Sequence, residues 1–166
     1  MMRSKKLLAV ATAAAAAGFT AGAAADHGGG DHGDRDHGRN VLSARLVGSL
    51  PNDPAIHGVL PGNVPWQGGA RATLNRRGRF ELRVRGLVIP GMGNPGPVTS
   101  ISASLFCAPD SVTTPAFTTG SVPLSAHGNA RIRAHVTVPN RCLAPVLLVH
   151  PNGGTARYIA ASGFTS

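Results

Sequence analysis

Beyond Asn40, glycine and proline recur so closely that no helix of useful length fits between them. With 22 Gly and 13 Pro in 166 residues, that spacing constrains the fold more than any other feature. Beyond Asn40, Gly, Pro and β-branched residues interrupt the chain every eight to twelve positions. Glycine and proline each weaken or break a helix interior, so the segments between them can only be short. Within those segments the apolar residues fall on every second position, which is the period of a strand with one buried face. Leu42, Ala44 and Leu46 alternate with Ser43, Arg45 and Val47 in a first strand, and Arg131 to Val138 is the clearest alternation in the chain. The remaining expected strands are Ala70 to Leu74, Arg79 to Val88, Val98 to Cys107, Gly120 to Leu124, Leu143 to His150 and Thr155 to Ala160.

Two connections carry turn chemistry. Asn75-Arg76-Arg77-Gly78 joins two strands into a hairpin, and Pro151-Asn152-Gly153-Gly154 offers an Asn-Gly pair that accepts positive φ. Gly48 to Gly69, with four prolines and Trp66, reads as an irregular connection expected to cover one open end of the fold. A weak internal repeat matches Leu74, Gly78, Phe80, Leu82 and Val84 with Leu124, Gly128, Ala130, Ile132 and Ala134, so the first hairpin is expected a second time. Seven to nine short strands of this kind predict an all-β fold, a single antiparallel sandwich of the immunoglobulin-like type.

The first 25 residues set the compartment. Arg3, Lys5 and Lys6 precede an apolar run from Leu7 to Thr20 that is too short to span a bilayer, and Ala23-Ala24-Ala25 is a small-residue cleavage pattern. The expectation is a secretory signal peptide over residues 1–25, and a secreted, extracellular product of 141 residues with no membrane-spanning segment. Residues 26–40, DHGGGDHGDRDHGRN, have no side chain to bury and read as a disordered leader, which leaves residues 41–166 for the β domain. Each of His27, His32 and His37 stands beside an Asp, so the leader could gather Zn, Cu or Ni weakly. Cys107 and Cys142, the only two cysteines, read as one disulfide in an oxidising compartment. In the chain-entropy model a loop of about 36 residues contributes roughly 3 to 4 kcal/mol.

Charge separates the leader from the domain. After cleavage the chain holds 13 Arg, 7 acids and no Lys, and from Val41 onward 11 Arg face only Asp53, Glu81 and Asp110. Without a lysine amine, Schiff-base catalysis, lysine-cradled phosphates and Lys-Asn crosslinks are excluded. Strand alternation puts Phe80, Leu82 and Val84 inward and Arg79, Glu81, Arg83 and Arg85 outward, and repeats this with Arg131, Arg133 and His135. With Arg71, the residues Arg79, Arg83, Arg85, Arg131 and Arg133 form a candidate anion-binding face suited to phosphates or carboxylates. The expected partner is an anionic cell-envelope polymer or a partner protein. Specific nucleic-acid binding is disfavoured, because aromatic residues for base stacking are scarce.

No GxSxG elbow, HExxH pair, lysine-bearing phosphate-binding glycine loop or zinc-spaced cysteine pair is present, so neither an enzyme nor a cofactor is expected. His57, His127, His135 and His150 stand singly, a pattern that fits solvated side chains. His57 with Asp53 and Trp66 is the one candidate small pocket.

Val149-His150-Pro151-Asn152-Gly153-Gly154-Thr155-Ala156-Arg157 resembles the closing hairpin of CHRD domains, the chordin-type β-sandwich repeats that end in a Val-His, a Gly-rich turn and an Arg. Leu42 to Gly48 and Gly78 to Gly86 stand where that family has its opening strands. The resemblance implies a β-sandwich over most of residues 41–166 and an exported protein. The family's central His-x-His has no counterpart, since Ile101-Ser102-Ala103-Ser104 stands there, so no role of those histidines carries over. The whole chain is also similar to small secreted actinobacterial proteins.

Overall fold

The computed structural model describes residues 39–162. The expected signal peptide and residues 26–38 of the leader lie outside the described residues. In chain order the strands are β1 (Asn40–Gly48), β2 (Leu60–Pro61), β3 (Gln67–Asn75), β4 (Arg79–Val88), β5 (Ser100–Phe106), β6 (Phe117–Thr118), β7 (Val122–Pro123), β8 (Ala130–His135), β9 (Val146–Pro151), β10 (Arg157–Tyr158) and β11 (Ala160–Ser162). The fold is all-β, with no helix among the described residues and therefore none long and apolar enough to cross a membrane. Nine strands form one antiparallel sheet in the order β6-β5-β9-β11-β1-β3-β4-β8, with β7 also on β5, while β10 and β2 make a separate parallel pair.

Chain length forces this sheet to curl. From β7 on one margin to β8 on the other there are seven strand intervals, about 34 Å if the sheet were flat. Only residues 124–129 connect Pro123 to Ala130, and a fully extended link of that length reaches about 25 Å. A turn shortens it further, since Gly128 N–H donates to Ser125 O at 2.8 Å. The two margins are thus drawn together, and Phe80 of β4 meets Phe117 of β6 edge to face with ring centroids 5.2 Å apart. Opposite halves of one sheet supply the packed layers of the expected sandwich. Between them lies a single apolar cluster that includes Leu46, Leu74, Phe80, Leu82, Ile101, Leu105, Ile132, Leu147 and Val149.

The first hairpin forms for the reason its sequence gives. Asn75 Oδ1 accepts from the backbone N–H groups of Arg77 and Arg79 at 3.0 and 2.9 Å, and Gly78 takes φ +82°. A side chain at Gly78 would also strike the Val136 carbonyl, 2.2 Å from the place a Cβ would occupy. The expected second hairpin does not form, because β7 pairs with β5 while β8 pairs with β4. Its turn is used to cross between the sheet's margins instead. The Pro151–Gly154 turn forms with Asn152 and Gly153 at φ +50° and +71°. Beyond it the strand expected from Thr155 to Ala160 divides at Ile159 into β10, paired with β2, and β11, paired with β9 and β1.

β5 and β9 are buried on both faces, which the run of buried positions from Ile101 to Phe106 and Leu147 to His150 records. The second face is covered by the Pro-rich connection after β1. Val59, with Ile56 packed beside it, joins Phe106, Leu148 and Tyr158 in a smaller apolar cluster. The part of that connection around Ile56 and Val59 therefore lies on the flank of the sheet, where two apolar strand faces need cover, while its Trp66 enters the main core. Cys107 and Cys142 form the disulfide. They join the end of β5 to the segment entering β9, closing the excursion that carries β6, β7 and β8.

Candidate anion-binding face

The outward residues of four consecutive strands form a grid. Arg45 of β1 pairs with Arg71 of β3, Arg71 with Arg83 of β4, and Arg83 with Arg131 of β8, so four arginines stand in one row across the strands. The next row reads Ser43, Thr73, Glu81 and Arg133. Arg79 lies one row further, opposite His135, and Arg85 lies beyond the arginine row opposite Gly69. All of these arginines are exposed. The structure thus brings all six expected residues, Arg71, Arg79, Arg83, Arg85, Arg131 and Arg133, onto one face.

Arg45 was not among them, although it has the same outward phase in its strand. Its membership depends on β1 lying beside β3, an adjacency of strands that are not consecutive. Nothing in the alternation of either strand specifies it.

Glu81 organises one end of the row. Its Oε1 accepts from Arg83 Nε at 2.5 Å and from Arg131 Nη2 at 2.6 Å, with the Glu81, Arg83 and Arg131 side chains 25 %, 54 % and 39 % exposed. Burial acts to raise the Glu81 carboxyl, but hydrogen bonds and charge from Arg83 and Arg131 outweigh it and hold the group below the usual carboxylate range. Each of the two guanidinium groups keeps four further N–H donors for a ligand. A shallow depression of about 330 Å³ opens here, lined by Arg83, Val84, Arg85, Asn129, Ala130 and Arg131. Among the described residues no carboxylate lies within ion-pair distance of Arg45, Arg71, Arg79, Arg85 or Arg133. Like charges directly opposite in a sheet are destabilising, so the row is a cost to the fold that a bound anion would relieve.

The four histidines among the described residues divide into two kinds. His127 and His135 are exposed, as expected of solitary histidines. His57 and His150 are buried, contrary to that expectation, because both belong to the covered flank of β5 and β9. His57 stacks on Phe106 at 4.4 Å and 6°, its backbone N–H donates to Asp110, and its Nδ1 donates to the Val112 carbonyl at 2.8 Å. The expected pocket of His57, Asp53 and Trp66 does not assemble. Asp53 instead accepts from the Leu50 N–H at 2.8 Å, and Trp66 packs in the main core.

His150 anchors a buried polar seam. The Arg157 carbonyl can only accept, so His150 Nδ1 carries a proton and donates to it at 2.8 Å. Nε2 then accepts from Ser104 Oγ at 2.9 Å, and Ser104 in turn accepts from Thr118 Oγ1 at 2.8 Å. Burial pushes the His150 imidazole below its ordinary range, opposed in part by the bond to Arg157. A serine hydrogen-bonded to histidine is a nucleophile's arrangement, but Ser104 is 1 % and His150 0 % exposed, so no substrate reaches either atom.

Among the described residues no group of three or more His, Cys, Asp or Glu side chains is placed to hold a metal ion. The candidate ligands His27, His32 and His37 lie outside the described residues. Compared with known proteins, the chain matches no family model, no curated protein and no solved structure.

Proposed function

We propose that this is an exported, non-catalytic β domain that holds an anionic component of the cell envelope on its arginine face. The observation that carries the reading is the in-register row Arg45, Arg71, Arg83 and Arg131, with Arg79, Arg85 and Arg133 flanking it. Guanidinium groups bind phosphates and carboxylates through paired N–H donors, which suits them to a face that must grip anions rather than merely be soluble. The disulfide fits an oxidising compartment. The absence of lysine beyond Lys6 and the absence of catalytic motifs support a binding role over a reaction.

Co-sedimentation of the exported chain with isolated cell envelopes tests this. Retention is expected at low salt and should fall steeply as the Debye length shrinks from about 10 Å at 0.1 M to about 3 Å at 1 M. Replacing Arg83, Arg85, Arg131 and Arg133 together by Ser should abolish it. Equal retention of the two proteins across the salt series would refute the proposal.

A further inference from the structure

The same face also specifies the shape of its ligand, an inference that rests on the anion-binding reading above. We propose that the ligand is a linear phosphate polymer that lies across the strands, along Arg45, Arg71, Arg83 and Arg131. Direction follows from the grid. Along β4 the outward cations Arg79, Arg83 and Arg85 are interrupted by Glu81, and β8 offers only Arg131 and Arg133 before His135. Across the strands, four arginines follow one another without an acid between them.

Spacing sets the length. Directly opposed residues on neighbouring strands are about 5 Å apart, so the row extends over about 14 Å from Arg45 to Arg131. One phosphate group can bridge two neighbouring guanidinium groups and cannot touch both ends, so engaging all four requires anionic groups distributed along a chain. Sheet twist turns each strand by about 20–25° from the last, and the row therefore winds over the surface. A chain of phosphates joined through single bonds follows such a path, while a stiff duplex does not.

Chemistry narrows the class. Around Glu81 the outward positions of β1, β3, β4 and β8 carry no Phe, Tyr or Trp, and their one imidazole, His135, stands two rows from the arginine row, opposite Arg79. Bases and sugar rings thus have no Phe, Tyr or Trp to stack on along the arginine row, and recognition there falls to the phosphates themselves. Glu81 holds Arg83 and Arg131 side by side at the depression, where one phosphate of the chain is gripped first.

The test measures binding of the exported chain to orthophosphate, tripolyphosphate, long-chain polyphosphate and poly(glycerol phosphate) by titration calorimetry at several salt concentrations. Affinity should rise steeply with chain length until the polymer spans the row and then level off. Arg45→Ser should weaken the long polymers about five-fold and lower their salt slope by about one, while leaving tripolyphosphate unaffected. Arg45→Gln, which retains more of the side-chain stem, should do the same, and urea midpoints of both variants verify that they are folded. Tighter binding of poly(glycerol phosphate) or of polyphosphate, with either one length-dependent, supports the proposal and identifies the polymer's source. Length-independent binding, or long-chain binding unchanged by both Arg45 variants, overturns the linear arrangement but leaves anion binding intact. Heparin, a sulfate and carboxylate polymer, is titrated alongside, and its binding more tightly than every phosphate polymer overturns the ligand class. No binding to any anion, together with no envelope retention, removes the anion-binding reading itself.

Discussion

Replacing His150 tests the buried seam and should change how stability depends on pH. The imidazole is 0 % exposed and satisfied at both nitrogens, by the Arg157 carbonyl and Ser104 Oγ. Burial lowers its proton affinity relative to the unfolded chain, where an ordinary value near 6.5 applies. Above pH 6.5 both states hold the ring neutral, and the group adds no pH dependence. As pH falls below 6.5 the unfolded chain takes up a proton that the native site resists, so stability falls until the native site protonates too. The limiting slope is about 1.4 kcal/mol per pH unit. Between pH 7 and pH 5 the loss reaches at most about 1.9 kcal/mol, if the native site stays unprotonated throughout. His150→Gln removes the titrating group. It also leaves a buried partner unsatisfied, which costs about 1–3 kcal/mol at neutral pH. Urea unfolding at half-unit steps from pH 7.5 to 5 should therefore show a variant less stable at pH 7 but flatter below 6.5, the two profiles converging as pH drops. Glu81 titrates below this window and does not confuse it. Parallel profiles for the two proteins across the whole range would refute the reasoning.

Tyr158 is the chain's one tyrosine, so absorbance near 295 nm reports it alone. Burial, reinforced by the charge of Asp53, pushes its phenol up to about 12, and its hydroxyl donates to the Pro54 carbonyl at 2.7 Å. The stability this carries is complete below pH 10 and is lost as pH rises from there toward 12. A native titration midpoint near 10, matching the chain in guanidinium, would contradict the burial. Replacing Cys107 and Cys142 together by Ser should lower stability by about 4 kcal/mol through the freed unfolded chain, given the 35-residue separation. A urea midpoint within the error of the parent protein would show that the loop's closure entropy is not what the bond contributes.

Much of the strand pattern was legible because period-two alternation depends only on one face being buried. β1, β3, β4 and β8 have such a face, and each appears within a few residues of its expected place. Buried on both faces, β5 and β9 have no alternation to read, so the layer over them, with His57 and His150 inside it, was hidden. Five of the strands have only two or three residues, too few for any period. The repeat around Gly128 correctly marked a turn, but a turn does not declare which strands its two arms will join. Six of the arginines on the candidate face were visible from strand phase, whereas Arg45 was not.

The sequence by itself determined that the described residues are all-β, where their first hairpin turns, that two cysteines could pair, and that arginines occupy outward positions of β3, β4 and β8. These are local matters of backbone conformation and strand phase, settled over a few residues. Only the tertiary structure decided that β1 lies beside β3, that the short link from β7 to β8 draws the sheet's margins together, and that four arginines consequently fall into one row. Strand order is fixed by which arrangement closes a common core over long separations in the chain. No single segment carries that information.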